Sequence, residues 1–164
     1  MVGPSSEPAP RFAAERTLGR LARWLRLLGY DTVYASNLHG YALLARGRRE
    51  RRIVLTRTRT MAAGTGPPRR VLLTSNHFRE QLVALRAAVP LAGESRFRRC
   101  LECNRATVEV SAAAVRECVP AYVARTQSVF RRCPGCRRVY WRATHHQHAE
   151  RELRAIGFPA EVPA

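Results

Sequence analysis

The sequence predicts an α/β protein: a parallel sheet flanked by helices, followed by a small four-cysteine zinc ribbon. Three observations predict it. Over residues 11–90, short apolar runs of strand length alternate with segments of helical periodicity. Strands interleaved with helices build parallel sheets covered on both faces. Further on, Cys100/Cys103 and Cys133/Cys136 form two C-x₂-C pairs. Each pair sets two thiolates on one tight knuckle, and two facing knuckles make a tetrahedral site for structural Zn²⁺. Finally, the composition shifts after Pro90. The expected organisation is a disordered tail over residues 1–10, an α/β domain over 11–90, a linker over 91–95, and a zinc ribbon with a C-terminal helix over 96–157.

Residues 1–10 are Pro- and Ser-rich and lack the apolar stretch of a secretory signal. A short first strand is expected over 11–15. The clearest helix is 17–28, where Leu18, Leu21, Leu25 and Leu28 form one apolar stripe. Thr17 is its expected N-cap, and Gly29 its stop. A strand over 32–35, a helix over 38–45 and strands over 53–56 and 71–74 follow. Gly64 and its neighbours to Pro68 read as a loop. Residues 78–88 make a helix with Leu82 and Leu85 inward. In the ribbon, 106–110 is a candidate strand, 111–115 a short helix, 139–141 a strand and 145–156 a last helix ending at Gly157. Pro134-Gly135 inside the second knuckle suits a turn that needs positive φ. Cys118 reads as a small core residue.

The formal net charge is +17, and all 29 basic residues are Arg. Such an excess points to a polyanion, because guanidinium pairs with phosphate through two hydrogen bonds and stacks on bases. An acidic membrane surface is the weaker alternative; no apolar run reaches the roughly 18 residues of a span. Two basic clusters stand out. One contains Arg48, Arg49, Arg51, Arg52, Arg57 and Arg59. The other surrounds the knuckles with Arg99, Arg131, Arg132, Arg137 and Arg138, interleaved with Tyr140 and Trp141. Reduced thiols held for a metal fit a cytoplasmic protein. His145, His146 and His148 form a further cluster, but four cysteines already close a structural zinc site.

The segments LGRLARWLRLLGYDT (18–32), RRIVLTRTR (51–59), EQL (80–82) and RCLECN…VP…FRRCPGCRRVYW..TH (99–145) resemble the Mut-seven C-terminal RNase domain family. The resemblance covers about residues 11–156. It implies a PIN-like α/β nuclease domain followed by a zinc ribbon. It also implies carboxylates at the C-terminal edge of the sheet that bind Mg²⁺ or Mn²⁺ and act on RNA. The family's first Asp corresponds to Glu15. Its Asp in LTRDR is Thr58 here, its acid near the second helix falls at His39-Gly40, and its acid ahead of EQL is Asn76. Three of four expected carboxylates are therefore replaced.

The remaining candidates for catalysis are Glu15, Asp31 and Glu80, with Asp31 equally readable as a turn residue. Glu50 reads as a counter-charge among arginines. The expected function is RNA binding, including ribosomal RNA, with nuclease activity impaired. The alternatives are an active Mg²⁺- or Mn²⁺-dependent ribonuclease with a reduced acid set, and a regulatory module that binds an acidic protein.

Overall fold

The computed structural model describes residues 8–34, 36–37, 39–91 and 95–159. Most of the expected N-terminal tail, the centre of the expected linker, and positions 35 and 38 lie outside the described residues. Four parallel strands form the first sheet: β1 (Phe12–Ala14), β2 (Thr32–Tyr34), β3 (Ile53–Thr56) and β4 (Arg70–Leu72), in the order β2-β1-β3-β4. β1 and β3 run in register, with Phe12 beside Ile53, Ala13 beside Val54 and Ala14 beside Leu55. Alternation along each strand then sorts side chains onto two faces. Phe12, Ala14 and Leu55 belong to one buried cluster, whereas Ala13 and Val54 belong to another.

Helix α1 (Gly19–Leu27) and helix α4 (Phe78–Ala88) cover the first face. The predicted stripe Leu18, Leu21, Leu25 and Leu28 is buried there, as are Leu82 and Leu85. Helix α2 (Gly40–Arg49) and the short α3 (Arg59–Ala62) supply Leu43, Leu44 and Met61 to the other face. Gly47 lets α2 approach β3, because a Cβ there would meet a Val54 methyl at 2.5 Å. Gly29 has φ +96° and would drive a Cβ into the Ser95 carbonyl at 2.5 Å, so it serves as both helix stop and close contact.

Downstream, β5 (Val108–Val110), β6 (Phe130–Arg132) and β7 (Val139–Trp141) form an antiparallel sheet in chain order. Helices α5 (Ala112–Val115) and α6 (Ala121–Thr126) lie between β5 and β6. The last helix, α7 (Thr144–Ala155), leaves this small sheet. Its Leu153, with Phe158 beyond it, joins the core of the first layer.

Several expectations are corrected. Thr17 is no N-cap: it lies in a 3-10 turn (Arg16–Leu18) that precedes α1. α2 runs on to Arg49, because its last turn gathers Arg46, Arg48 and Arg49 at the negative end of the helix dipole. β4 begins at Arg70 and stops at Leu72. α3, α6 and β6 were not foreseen. Cys118 is exposed rather than in the core, with its Sγ 3.5 Å from an Arg132 nitrogen. Positive φ in the knuckles falls on Asn104 (67°) and Arg137 (60°), each following a second cysteine, and not on Gly135.

One polar node joins the first sheet to the first cysteine knuckle. Asp31, just ahead of β2, accepts from both terminal nitrogens of Arg52 (2.7 and 3.1 Å), from Arg11 Nε (3.0 Å) and from Asn104 Nδ2 (2.7 Å). Asn104 Oδ1 in turn accepts from the Thr32 amide at 2.9 Å. Burial pushes the Asp31 carboxyl up, but these donors outweigh it and hold it well below the usual carboxylate range. Arg52 is only 5% exposed, and its Nε also donates to Glu50 at 2.6 Å. Removing Asp31 leaves a buried guanidinium short of charge. Asp31→Asn is expected to cost about 2–3 kcal/mol in urea unfolding at neutral pH. Glu102→Gln, which breaks an exposed pair with Arg23, is expected to cost less than about 1 kcal/mol.

Candidate metal centre and the sheet edge

Two knuckles with the same backbone pattern face each other. In the first, Cys100 N–H donates to the Arg105 carbonyl and Asn104 N–H to the Cys100 carbonyl. In the second, Cys133 N–H donates to the Arg138 carbonyl and Arg137 N–H to the Cys133 carbonyl. The cysteines end up with all four Sγ atoms within 4.8 Å of one another. Cys100 lies 3.5 Å from Cys136, and Cys103 lies 3.2 Å from Cys133. A tetrahedron of Zn–S bonds of about 2.3 Å has sulfur separations of about 3.8 Å, so the set fits one zinc ion.

Neighbouring groups favour the Cys100 thiolate, whereas burial and the Cys133 sulfur push the Cys103 thiol up. Cys103 N–H and Gly135 N–H point at Cys100 and Cys133 sulfurs (3.5 and 3.4 Å). The Tyr140 hydroxyl lies 3.1 Å from Cys100 Sγ and accepts from the Leu101 amide at 3.2 Å. Burial raises the Cys100 thiol, but the Cys103 amide and the Tyr140 hydroxyl outweigh it and bring it down to about 6. Burial and the adjacent sulfur push the Tyr140 hydroxyl upward in turn. Among the described residues, this is the only group of three or more His, Cys, Asp or Glu side chains that could hold a metal ion. His146 stacks on Phe97 with ring centroids 3.5 Å apart, well placed as packing rather than as a ligand to this set.

The C-terminal edge of the parallel sheet carries Glu15, just after β1. It is 8% exposed. Its Oε2 accepts from Thr56 Oγ1 (2.7 Å) and the Arg57 amide (2.8 Å), and its Oε1 accepts from Thr58 Oγ1 (3.0 Å). Burial raises its carboxyl, but these three donors outweigh that and lower it overall. Glu80 sits in the first turn of α4, exposed, and accepts from Ser75 Oγ at 2.7 Å. It lines a cleft of about 350 Å³ with Thr17, Arg20, Asn76 and Arg79.

Asp31 does not join these acids. It pairs level with Arg11 at the opposite end of β1, four residues from Glu15 along the strand direction. That is about 13 Å at roughly 3.3 Å per residue. Strand direction, invisible in the spacing of the acids, decides this.

The candidate RNA contacts divide as well. Arg48, Arg49, Arg51, Arg59, Arg137 and Arg138 are exposed. Arg57 and Arg132 are half-buried. Arg52 is buried in the Asp31 node and is not a surface contact. Arg99 spends its donors on the Gly29 and Asn104 carbonyls, and Arg131 on Thr107. Trp141 is half-buried and packs partly on the Phe130 cluster.

The family model of the Mut7-C RNAse domain matches residues 10–153, most of the chain. The chain belongs to that family. No curated protein and no solved structure matches it. Membership in the Mut7-C RNAse family suggests a nuclease-like function with RNA as the substrate class. No helix among the described residues is long and apolar enough to cross a membrane. The position of Tyr140 against a ligand sulfur had no sequence signal beyond its place two residues into the strand after the knuckle.

Purified protein is expected to carry about one zinc per chain, and chelation is expected to abolish the ribbon's ordered signal in circular dichroism. Tyr140→Phe removes the hydroxyl beside Cys100 and is expected to weaken zinc affinity by about tenfold in a competition titration with a chromogenic chelator.

Proposed function

We propose that this Mut7-C RNAse family member works chiefly by binding RNA, with a structural zinc ion and with phosphodiester hydrolysis weak or lost. The observation that carries the reading is the state of Glu15. A metal-dependent nuclease needs several carboxylates free to share divalent cations at one point. Here the buried carboxylate at the sheet edge is already occupied by two hydroxyls and an amide. One of those hydroxyls belongs to Thr58, which stands where the family pattern has an Asp. The residues present do not fit a two-cation centre.

What the edge offers instead is positive charge. Arg20 lies over the Phe78 ring with its guanidinium carbon 4.3 Å from the centroid, while Arg79, 5.5 Å from the same ring, is ion-paired with Glu152. Arg59 is exposed on α3 nearby, and Arg51, Arg137 and Arg138 are exposed elsewhere. Among the described residues, no carboxylate pairs with Arg51, Arg59, Arg137 or Arg138. Such arginines suit phosphates of RNA, including ribosomal RNA, in a reducing cytoplasm.

A second reading is favoured by one observation. Glu15 and Glu80 both lie at the C-terminal end of the sheet. With one Mn²⁺ they would make a reduced ribonuclease centre. Labelled RNA incubated with Mn²⁺ separates the readings. We expect binding with an affinity that falls at least about tenfold between roughly 50 and 200 mM salt, and no cleavage above a no-protein control. Cleavage that disappears in Glu15→Ala would establish the second reading instead.

A further inference from the structure

We infer that the cleft between α6 and α7 is a stacking site for unpaired RNA bases. The inference deepens the RNA-binding reading and rests on it. The cleft has a volume of about 740 Å³, within the range of roughly 300–1,000 Å³ typical of ligand sites. Three aromatic rings line it, of which His146 is stacked on Phe97, leaving Tyr122 and Trp141 from separate elements. Tyr122, on α6, is 68% exposed, far more than a ring serving the core. Trp141 ends β7; its inner part packs on the Phe130 cluster, and its remaining surface faces the cleft.

The charge facing these rings is positive. Arg151 and Arg154, three apart on α7, lie on the same wall and are both exposed. The single acid in the lining, Glu150, is held by the buried Arg96, with both carboxylate oxygens about 3 Å from its guanidinium (3.1 and 2.9 Å). Rings for bases and guanidinium groups for the intervening phosphates are the combination that holds single strands. A duplex, whose bases stack on each other, presents no free face to Tyr122 or Trp141.

Two other clefts among the described residues lack such a ring. At the sheet edge, Phe78 is already stacked on Trp24, with centroids 4.8 Å apart, and is covered by Arg20. Beside the first knuckle, Tyr34 packs on the larger core, and Arg26 and Arg99 are bound to backbone carbonyls.

The test uses the full chain with zinc and two probes, fluorescein-labelled hexa-adenylate and a 12-base-pair RNA duplex. Anisotropy measures affinity on the chain with both tryptophans. Quenching is read in a Trp24→Phe background, where Trp141 is the remaining indole. We expect saturable quenching by hexa-adenylate and none by the duplex. Tyr122→Ala, and the pair Arg151→Ala with Arg154→Ala, are each expected to weaken hexa-adenylate binding about tenfold, whereas Tyr122→Phe keeps it. Tyr122 is exposed, so unchanged circular dichroism and zinc content should accompany the loss. If hexa-adenylate binds but Tyr122→Ala changes affinity less than twofold, or Trp141 is not quenched, the cleft is not the site and the broader RNA reading stands. If poly-glutamate quenches equally, the cleft takes an acidic protein segment and the inference is overturned. No binding by anisotropy overturns both readings.

Discussion

The chain contains a single aspartate, and the molecule is assembled around it. Asp31 sits where the parallel sheet begins, and its two oxygens take donors from three separate regions. Arg11 precedes β1, Arg52 precedes β3, and Asn104 belongs to the first cysteine knuckle. A carboxylate with that many charged and amide donors stays ionised. It also gives Arg52 a reason to be buried, which an arginine otherwise avoids. Asp31 therefore ties the starting ends of the strands to the four-cysteine module. Two further arginines reinforce the junction: Arg26 donates to the Leu101 and Glu102 carbonyls, and Arg99 to the Gly29 carbonyl. Polar bonds to backbone fix orientation, where an apolar contact alone would allow sliding.

At the other end of the same sheet the chemistry is reversed. Among the described residues, Glu15 has no cationic side chain in hydrogen-bond contact; it is satisfied by hydroxyls and an amide. The end of β3 and the turn after it wrap around this carboxylate, so Thr56 and Thr58 supply donors rather than further anionic oxygen. A polar centre built this way organises the loop and the following α3. The two ends of β1 thus carry two carboxylates with different tasks, one joining modules and one shaping a loop.

The small sheet has little apolar core of its own. Its buried cluster is Val115, Val119 and Phe130, with partly covered neighbours that include Trp141. Such a core is thin for its length, and a metal ion held by the four clustered sulfurs would add cohesion there. The module is further anchored by α7, whose Leu153 crosses into the larger core. The same helix presents arginines outward beside Tyr122 and Trp141. One helix thereby links folding of the larger layer to the shape of the aromatic cleft.

Much of this was legible in the sequence, because it rests on local rules. The leucine stripe of α1, the boundaries of β3, α4 and β7, the stop at Gly29 and the doubled cysteine spacing depend on residues close along the chain. Periodicity and knuckle spacing report such features directly. The unforeseen β6 was masked because two of its three residues are arginines, which read as surface charge. The tertiary structure alone decided which donors each acid meets. Asp31 and Glu15 fall at opposite edges once the strands run parallel, as the sequence predicts, but the groups that hold each carboxylate come from distant segments. It alone also separated the buried Arg52 from its exposed neighbours, and brought Tyr122 to the same cleft as Trp141. Those outcomes depend on contacts between residues far apart in the chain, and local patterns carry no record of them.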